Sequence, residues 1–325
     1  MRPQSFLILL LFALSVFGCT RESINCGVIC DTSTEELLFQ TGFNSTTLTN
    51  GAYQNVEIEG IDPDYPENAD WATFRDHPRI GYAEISYEDG DDTQRQASLV
   101  ADPDDAENSV LKFEIKEPHI QEGFSKKGRV QLAVHDNQCI SEVYQTVRLQ
   151  LDADLAYFTE REDRLYWFTL FEFWNNAAWT RERNPFRVSV NLNKEEGIGS
   201  PIHFRVKSDY QECRTCDWQE VWGETDIDFP LVFGEWMDIE LYLKEGDANT
   251  GRFYLAVTPE NGEKIVLFDI YNTTQHPEET CADGYTHFEP MKLYLGEDDI
   301  RYMQAADRTL AVYWDDWQFY VHKTL

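Results

Sequence analysis

Basic, imidazole and amide side chains recur at alternate positions in short segments of an otherwise acidic chain, whose formal net charge is −32. In the segment SKKGRVQLAVHDNQ at 125–138, apolar residues separate Arg129, Gln131 and His135. Alternate side chains of an extended strand share a face, so this spacing predicts a strand with one buried face and one polar face. A polar face of this composition suits an anionic ligand that is rich in hydroxyl groups.

The same alternation occurs in three further segments, PIHFRVKS, FRVSVNLN and VYQTVRLQLD. If these are neighbouring strands of one curved sheet, their polar faces combine into a groove. With Lys127, the side chains that would line it are His203, Arg205, Lys207, Arg187, Ser189, Asn191, Tyr144, Arg148 and Gln150. The alternative is that the cations only keep the surface soluble and that the histidines are ordinary surface residues.

Short alternating runs separated by Gly, Pro, Asn and Asp make up the remainder of the chain, without a sustained helical period. They include RIGYAEISYE, SVLKFEIKE, LYWFTLFEFW, WMDIELYLK, RFYLAVT, MKLYLG and LAVYWDDWQFYV. This pattern predicts an all-β antiparallel sandwich or barrel. No internal repeat or linker divides it, so we expect a single domain over 36–325.

The N-terminus has the layout of an export signal, with Arg2 before an apolar run and then Gly18-Cys19. A small residue followed by Cys resembles the bacterial lipobox, in which Cys19 is lipidated; ordinary signal cleavage is the alternative. We therefore predict a signal peptide over 1–18 and a tethered linker over 19–35. No later segment is apolar enough to cross a membrane, so we expect an exported outer-membrane lipoprotein, on the periplasmic or the cell-surface side.

Six cysteines remain when Cys19 is set aside, and an even number in an exported chain favours disulfides. Cys213 and Cys216 are spaced as in redox or zinc motifs, but no second close pair of cysteines or histidines stands near them, so loop stapling is preferred. Connectivity stays open. The net charge argues against nucleic acid as a partner.

Three acidic loops, at 61–70, 87–94 and 102–108, offer oxygen ligands. None has the ligand spacing of a helix-flanked calcium loop, so we interpret them as solvated turns and keep calcium as the weaker alternative. No cofactor and no metal site are expected.

The order of several segments resembles the concanavalin-A-like jelly-roll polysaccharide lyases, the relatives of heparin lyase I, glucuronan lyase and alginate lyase. Arg129-Val130-Gln131-Leu132 lies where the family has R-[ST]-E-L-R, Gly234-Glu235-Trp236 matches its Gly-x-Trp turn, and Tyr313-Trp314-Asp315-Asp316 matches its closing strand. The resemblance runs from about residue 110 to the C-terminus. It implies a jelly-roll sandwich and an acidic, uronate-containing polysaccharide as the substrate.

Two motifs depart from the family pattern. Glu172 and Trp174 stand where the family has Gln and His, and Lys292-Leu293-Tyr294 stands near its K-x-G-x-Y. Eliminative cleavage of a uronate requires a neutralised carboxylate, a base for the C5 proton and an acid for the departing O4. The hypothesis assigns the carboxylate to Arg129 with Gln131, the base to His135 or His203, and the acid to Tyr144 or Tyr294.

A monomeric polysaccharide lyase is therefore the first prediction. A non-catalytic glycan-binding lipoprotein of the same fold is the second, and a structural lipoprotein with incidental basic faces is the third. A glycoside hydrolase would need two carboxylates, for which Glu172 with Asp238 or Glu240 is the candidate set.

Overall fold

The computed structural model describes residues 34–50, 55–87, 93–118, 127–176, 184–213 and 216–325. Two antiparallel sheets pack as a sandwich, which confirms the predicted all-β fold. The predicted signal peptide, Cys19 and most of the predicted linker lie outside the described residues.

One sheet has eight strands in the order β15-β14-β13-β8-β17-β6-β5, and β1 pairs with β17. The strands are β1 (Glu36–Thr41), β5 (Arg95–Ala101), β6 (Ser109–Ile115), β8 (Glu142–Leu151), β13 (Trp236–Lys244), β14 (Arg252–Pro259), β15 (Ile265–Tyr271) and β17 (Ala311–Val321).

The other sheet has nine strands in the order β12-β11-β10-β9-β16-β7-β4-β3-β2. They are β2 (Thr47–Asn50), β3 (Asn55–Glu59), β4 (Tyr82–Tyr87), β7 (Lys127–His135), β9 (Leu165–Asn175), β10 (Phe186–Lys194), β11 (Ile202–Tyr210), β12 (Gln219–Thr225) and β16 (His287–Gly296).

Short helices fill some connections: α1 (Trp71–Arg75), a 3-10 helix (Ala153–Glu160) and α2 (Glu297–Ala305). The Asp70 side chain caps α1 by accepting a hydrogen bond from the Ala72 N–H. Within the described ranges, no helix is long and apolar enough to cross a membrane.

The core lies between the sheets because each strand turns its apolar alternate residues inward. Trp314 from the eight-stranded sheet meets Phe171 of the nine-stranded sheet with ring centroids 5.5 Å apart. Trp71 and Trp317 stack at 6.1 Å beside β1. The polar residues of β7, β10 and β11 are thereby directed away from the core, as their alternation predicts.

The expectation that β8 neighbours these strands is wrong. It pairs with β13 and β17 in the eight-stranded sheet, so Tyr144 and Arg148 lie across the core from β7. Tyr144 packs with Tyr242 and Tyr254 in a separate cluster. Alternation fixes the face of a strand but not the sheet to which the strand belongs.

Two residues of the acidic loops are not solvated, contrary to expectation. Asp62 is 1% exposed and accepts hydrogen bonds from the Thr41 hydroxyl at 3.0 Å and the Gly42 N–H at 2.7 Å. Asp102 is 4% exposed and accepts a hydrogen bond from the Trp236 indole at 3.1 Å. These carboxylates accept hydrogen bonds from buried donors outside their loops, at the end of β1 and at the start of β13, which would otherwise lack partners.

Cysteine pairing follows the preferred prediction. Cys213 and Cys216 form a disulfide with each other. Cys139 and Cys281 each belong to a disulfide as well. The predicted disulfide is therefore confirmed at 213–216.

Candidate functional site

The outward side of the nine-stranded sheet carries a continuous set of polar and aromatic side chains, which we call the polar face. It crosses six neighbouring strands from β4 to β11, about 24 Å at the usual strand spacing. Its buried floor consists of Gln131, His135, Glu172, Trp174, Ser189, Asn191, Asp209, His287, Glu289, Lys292 and Tyr294. Its half-buried rim consists of Tyr82, Glu84, Lys127, Arg129, Trp167, Arg187, His203, Arg205, Lys207 and Trp218.

Glu172 lies at the centre of the floor, between two cations. It forms an ion pair with Lys292 on β16, and its Oε1 accepts a hydrogen bond from Arg187 Nη1 at 3.2 Å. Burial alone would raise the pKa of Glu172, but Lys292 and Arg187 lower it to about 2. Glu172 is therefore a fixed anion that positions two cations, and it cannot act as a proton donor near neutral pH.

His135 is held from both sides by hydrogen bonds. Its Nε2 lies 2.9 Å from Glu289 Oε1, and its Nδ1 lies 2.9 Å from the Tyr82 hydroxyl. The His287 ring is 4.6 Å from the His135 ring, and burial together with that neighbour lowers the pKa of His287 to about 3. Both ring nitrogens of His135 are therefore engaged within the polar face, which fixes the orientation of the ring.

Tyr294 on β16 is surrounded by cations. Lys127 Nζ and Lys292 Nζ each lie 5.3 Å from its ring centroid, and the Arg129 guanidinium carbon lies 5.8 Å away. The Trp167 ring meets the Tyr294 ring edge-on at 4.5 Å. These contacts hold the Tyr294 ring among three cations, and a phenol hydroxyl is a group that can exchange a proton.

Arg187 joins the floor to an aromatic part of the rim. Its guanidinium lies 4.1 Å from the Trp218 ring centroid and 5.2 Å from that of Trp174, and its Nη2 donates to Asp209 Oδ2 at 3.0 Å. Burial opposes the charge, but Glu172 and Asp209 keep the pKa of Arg187 above its usual value. The half-buried Trp218 at this end offers a flat apolar surface of the kind on which sugar rings stack, while Trp174 is buried beneath it.

Most predicted site residues are brought to one face. Those on the polar face are Lys127, Arg129, Gln131, His135, Glu172, Trp174, Arg187, Asn191, His203, Arg205, Lys207 and Tyr294. His203 is separated from His135 by four strand spacings, about 19 Å, so the two histidines cannot serve one reacting centre. Tyr144 and Arg148 are not on this face.

The carboxylate pairs considered for a hydrolase are also separated. Asp238 and Glu240 lie on β13 in the eight-stranded sheet, across the core from Glu172. Glu289 is the cross-strand neighbour of Glu172, but Glu172 is held ionised. The general acid of a glycosidase must be protonated, so Glu172 cannot supply it.

Sequence reasoning missed several members of the face, namely Tyr82, Trp167, Trp218, His287, Glu289 and Lys292. In HFEPMKLYLG, the alternation His287, Glu289 breaks at Pro290 and resumes at Lys292 and Tyr294, because the pairing with β7 shifts register between Phe288 and Met291. A proline inside a strand signals such a bulge. Reading the segment with one extra residue would have placed all four on one face.

No protein-family model matches this chain, and no curated protein sequence matches it. Among solved structures, an alginate lyase from Aplysia kurodai is similar, with TM-score 0.44 and 11% identity over 76% of this chain and 93% of that chain. An endo-β-1,4-glucuronan lyase from the fungus Trichoderma reesei gives TM-score 0.42 and 12% identity, over 75% and 91%. The VIP36 exoplasmic/lumenal domain gives 0.37 and 10%, over 74% and 85%. The similarity concerns the fold, and the ligand has to be inferred from the site.

Proposed function

We propose that the polar face binds an acidic, uronate-containing polysaccharide and cleaves it by β-elimination at Tyr294. The observation that carries the proposal is the position of Tyr294 among Lys127, Arg129 and Lys292, in a chain of net charge −32. Cations concentrated at one tyrosine of so acidic a protein match the needs of an anionic sugar and of a proton-transferring phenol.

The rim supplies the first requirement of elimination. Lys127 and Arg129 are half-buried beside Tyr294, where a uronate carboxylate could reach both. Neutralising that carboxylate stabilises the negative charge that develops when the C5 proton leaves. Trp167 and Trp218 extend the binding surface along the rim through ring contacts with the sugars.

Tyr294 supplies the proton transfer. As a phenolate it takes the C5 proton, the C5–H electron pair forms the C4–C5 double bond, and the C4–O4 bond breaks. The proton then passes from the Tyr294 hydroxyl to O4, so that no water is consumed and Tyr294 ends in its starting form. Glu172 forms an ion pair with Lys292 and so holds the Lys292 ammonium group next to the Tyr294 ring.

A non-catalytic glycan-binding protein is the second candidate. One observation favours it: the cations Lys292, Arg187 and Lys207 each have a carboxylate partner, Glu172 or Asp209, within the polar face. Such pairs hold a surface rigid without making it strongly positive. In that case polymer would bind along the rim without being cut.

We further propose that the chain works outside the cytoplasm, as a monomer tethered by lipid at Cys19 and without contact with nucleic acid. Disulfide bonding of Cys139, Cys213, Cys216 and Cys281 supports an oxidising compartment. A lipid anchor predicts that detergent releases the protein from membranes and that Cys19→Ala is found in the soluble fraction. Retention of Cys19→Ala on membranes would contradict the anchor.

Elimination is tested by incubating the purified protein with alginate, glucuronan, ulvan, heparin and pectate. An unsaturated uronate absorbs near about 235 nm, so a lyase produces a rising signal on at least one polymer. No signal on any polymer, together with slowed migration of the protein in a gel containing one of them, would instead support the binding protein.

A further inference from the structure

A short disulfide turn lies beside the aromatic end of the polar face. It follows β11 and leads into β12, which is an edge strand among the described strands of the nine-stranded sheet. Cys213 and Cys216 close the turn, and Trp218 stands two residues later, directly before β12 begins at Gln219. An edge strand is held on one side only, so the segment before it needs other contacts to fix the position of Trp218.

Cys216 is fixed by three contacts. Its sulfur is bonded to that of Cys213, its N–H donates a hydrogen bond to the Cys213 carbonyl at 2.9 Å, and its own carbonyl accepts one from the Gln211 side-chain amide at 2.7 Å. Gln211 is buried, and its N–H donates to the Pro185 carbonyl at 3.0 Å, directly before β10. The disulfide turn is thereby attached to the strand that carries Arg187.

Trp218 lies on a cation that the floor of the polar face already holds in place. The Arg187 guanidinium is 4.1 Å from the Trp218 ring centroid, while its nitrogens pair with Glu172 and Asp209. The buried Trp174 ring meets the Trp218 ring edge-on, with centroids 5.4 Å apart. The surface on which Trp218 rests is therefore built by β9, β10 and β11, and the turn has only to bring Trp218 onto it.

We propose that the Cys213–Cys216 disulfide is a positioning element for sugar binding, because it holds Trp218 on Arg187 as a stacking surface of the rim. The inference rests on the proposed binding of a polysaccharide. While the disulfide is closed, the turn has few conformations, so little further entropy is lost when a sugar packs on Trp218. When the disulfide is open, Trp218 has to be ordered by the sugar itself, which weakens binding.

The disulfide can be reached by reductants, since Cys213 is exposed and Cys216 is half-buried. A dithiol reductant supplies two electrons and two protons: the S–S bond breaks, two thiols form, and the reductant is oxidised to a disulfide. Reduction opens the turn without removing any residue, and reoxidation closes it again. The same molecule can therefore be measured in both states.

Affinity gels that contain alginate, glucuronan, ulvan, heparin or pectate test the effect on binding. On a polymer that retards the parent, we expect the double variant Cys213→Ser with Cys216→Ser to bind about 3- to 10-fold more weakly, as for the loss of one aromatic contact. Trp218→Ala should bind as weakly as the double variant. Adding the two cysteine substitutions to Trp218→Ala should cause no further loss, because they act through Trp218.

On a polymer that is cleaved, the double variant should raise KM and leave kcat unchanged, because Trp218 is remote from the reacting centre. Trp174, which contacts Trp218, and Thr169, the cross-strand partner of Tyr294, are about 16 Å apart along β9. Dithiothreitol should weaken polymer binding by the parent, and reoxidation should restore it. The control is the double variant in dithiothreitol, since it keeps the disulfides of Cys139 and Cys281.

Near-ultraviolet circular dichroism without polymer tests the position of Trp218 directly. The difference between the spectra of the parent and of Trp218→Phe is the signal of the packed Trp218 ring, and the double variant should lose it while the remaining spectrum shows a folded protein. A double variant that keeps this signal, or that binds the polymer as tightly as the parent, would overturn the proposal. If the parent binds none of the polymers, the proposed function fails, and the spectra alone decide whether the disulfide positions Trp218.

Discussion

Glu172 on β9 and Lys292 on β16 form an ion pair on the floor of the polar face, with only 4% and 1% of their side chains exposed. A buried pair must recover the cost of removing two charges from water, and apolar residues in its place are often as stable or more stable. Arg187 adds a second cation to Glu172, and Tyr294 lies against Lys292. The pair is therefore better explained by the position in which it holds the Lys292 ammonium group against Tyr294 than by stability.

Replacing Lys292 by Met should destabilise the fold by about 3–5 kcal/mol, because it leaves Glu172 as a buried charge with one partner fewer. Urea unfolding followed by tryptophan fluorescence measures this. The double variant Glu172→Gln with Lys292→Met removes both charges and should recover part of the loss. If Lys292→Met unfolds at the same urea concentration as the parent, the ion pair with Glu172 does not contribute to the stability of the fold.

Acid should weaken the fold partly through His287. Its pKa in the folded chain is about 3, below the ordinary value, so between about pH 6.5 and 3 the unfolded chain binds the extra proton. This contribution is complete above about pH 6.5 and is lost as the pH falls towards 3, with a slope of at most about 1.4 kcal/mol per pH unit.

The variant His287→Asn has no imidazole to bind that proton in the unfolded chain. Its free energy of unfolding should therefore fall less steeply than that of the parent as the pH decreases over this range. Parallel stability profiles of the two proteins between about pH 6.5 and 4 would refute the assignment. Other titrating groups are present in both proteins and cancel in the comparison.

Gly284 should not tolerate a side chain. Its φ is +106°, and a Cβ there would lie 2.7 Å from the Ile140 backbone nitrogen. Gly199 has φ +80° but no atom within 4 Å of the corresponding position, so it is a matched control for the backbone strain alone. We expect Gly284→Ala to cost at least about 1 kcal/mol more than Gly199→Ala in chemical denaturation. Equal costs would show that the loop moves to accept the methyl group.

Removing the rim cation Arg129 should impair substrate use. If its guanidinium contacts the uronate, Arg129→Ala loses a charge-assisted hydrogen bond of about 1.5–3 kcal/mol, which lowers kcat/KM about 10- to 100-fold. Arg252→Ala removes a cation of the eight-stranded sheet, which is paired with Asp269, and should leave kcat/KM unchanged. Steady-state rates on the polymer that is cleaved give kcat/KM for both variants. Equal decreases in kcat/KM would show that the total charge of the protein matters and not the position of Arg129.

The sequence predicts the faces of β7, β10 and β11 because alternation in a half-buried strand is a local property. It fails for β8, whose polar face has the same pattern, because the sheet that a strand joins depends on pairing with β13 and β17 far along the chain. The role of His135 is also hidden, since the partners that occupy its nitrogens, Tyr82 and Glu289, are distant in sequence.

Tyr294 is proposed to transfer the proton in an elimination on the polar face, and a comparison of initial rates near about 235 nm decides the point. Tyr294→Phe should slow the reaction about 10²- to 10⁴-fold while polymer binding persists. Tyr144→Phe, across the core in the eight-stranded sheet, should react like the parent. A Tyr294→Phe protein that cleaves as fast as the parent would contradict the claim.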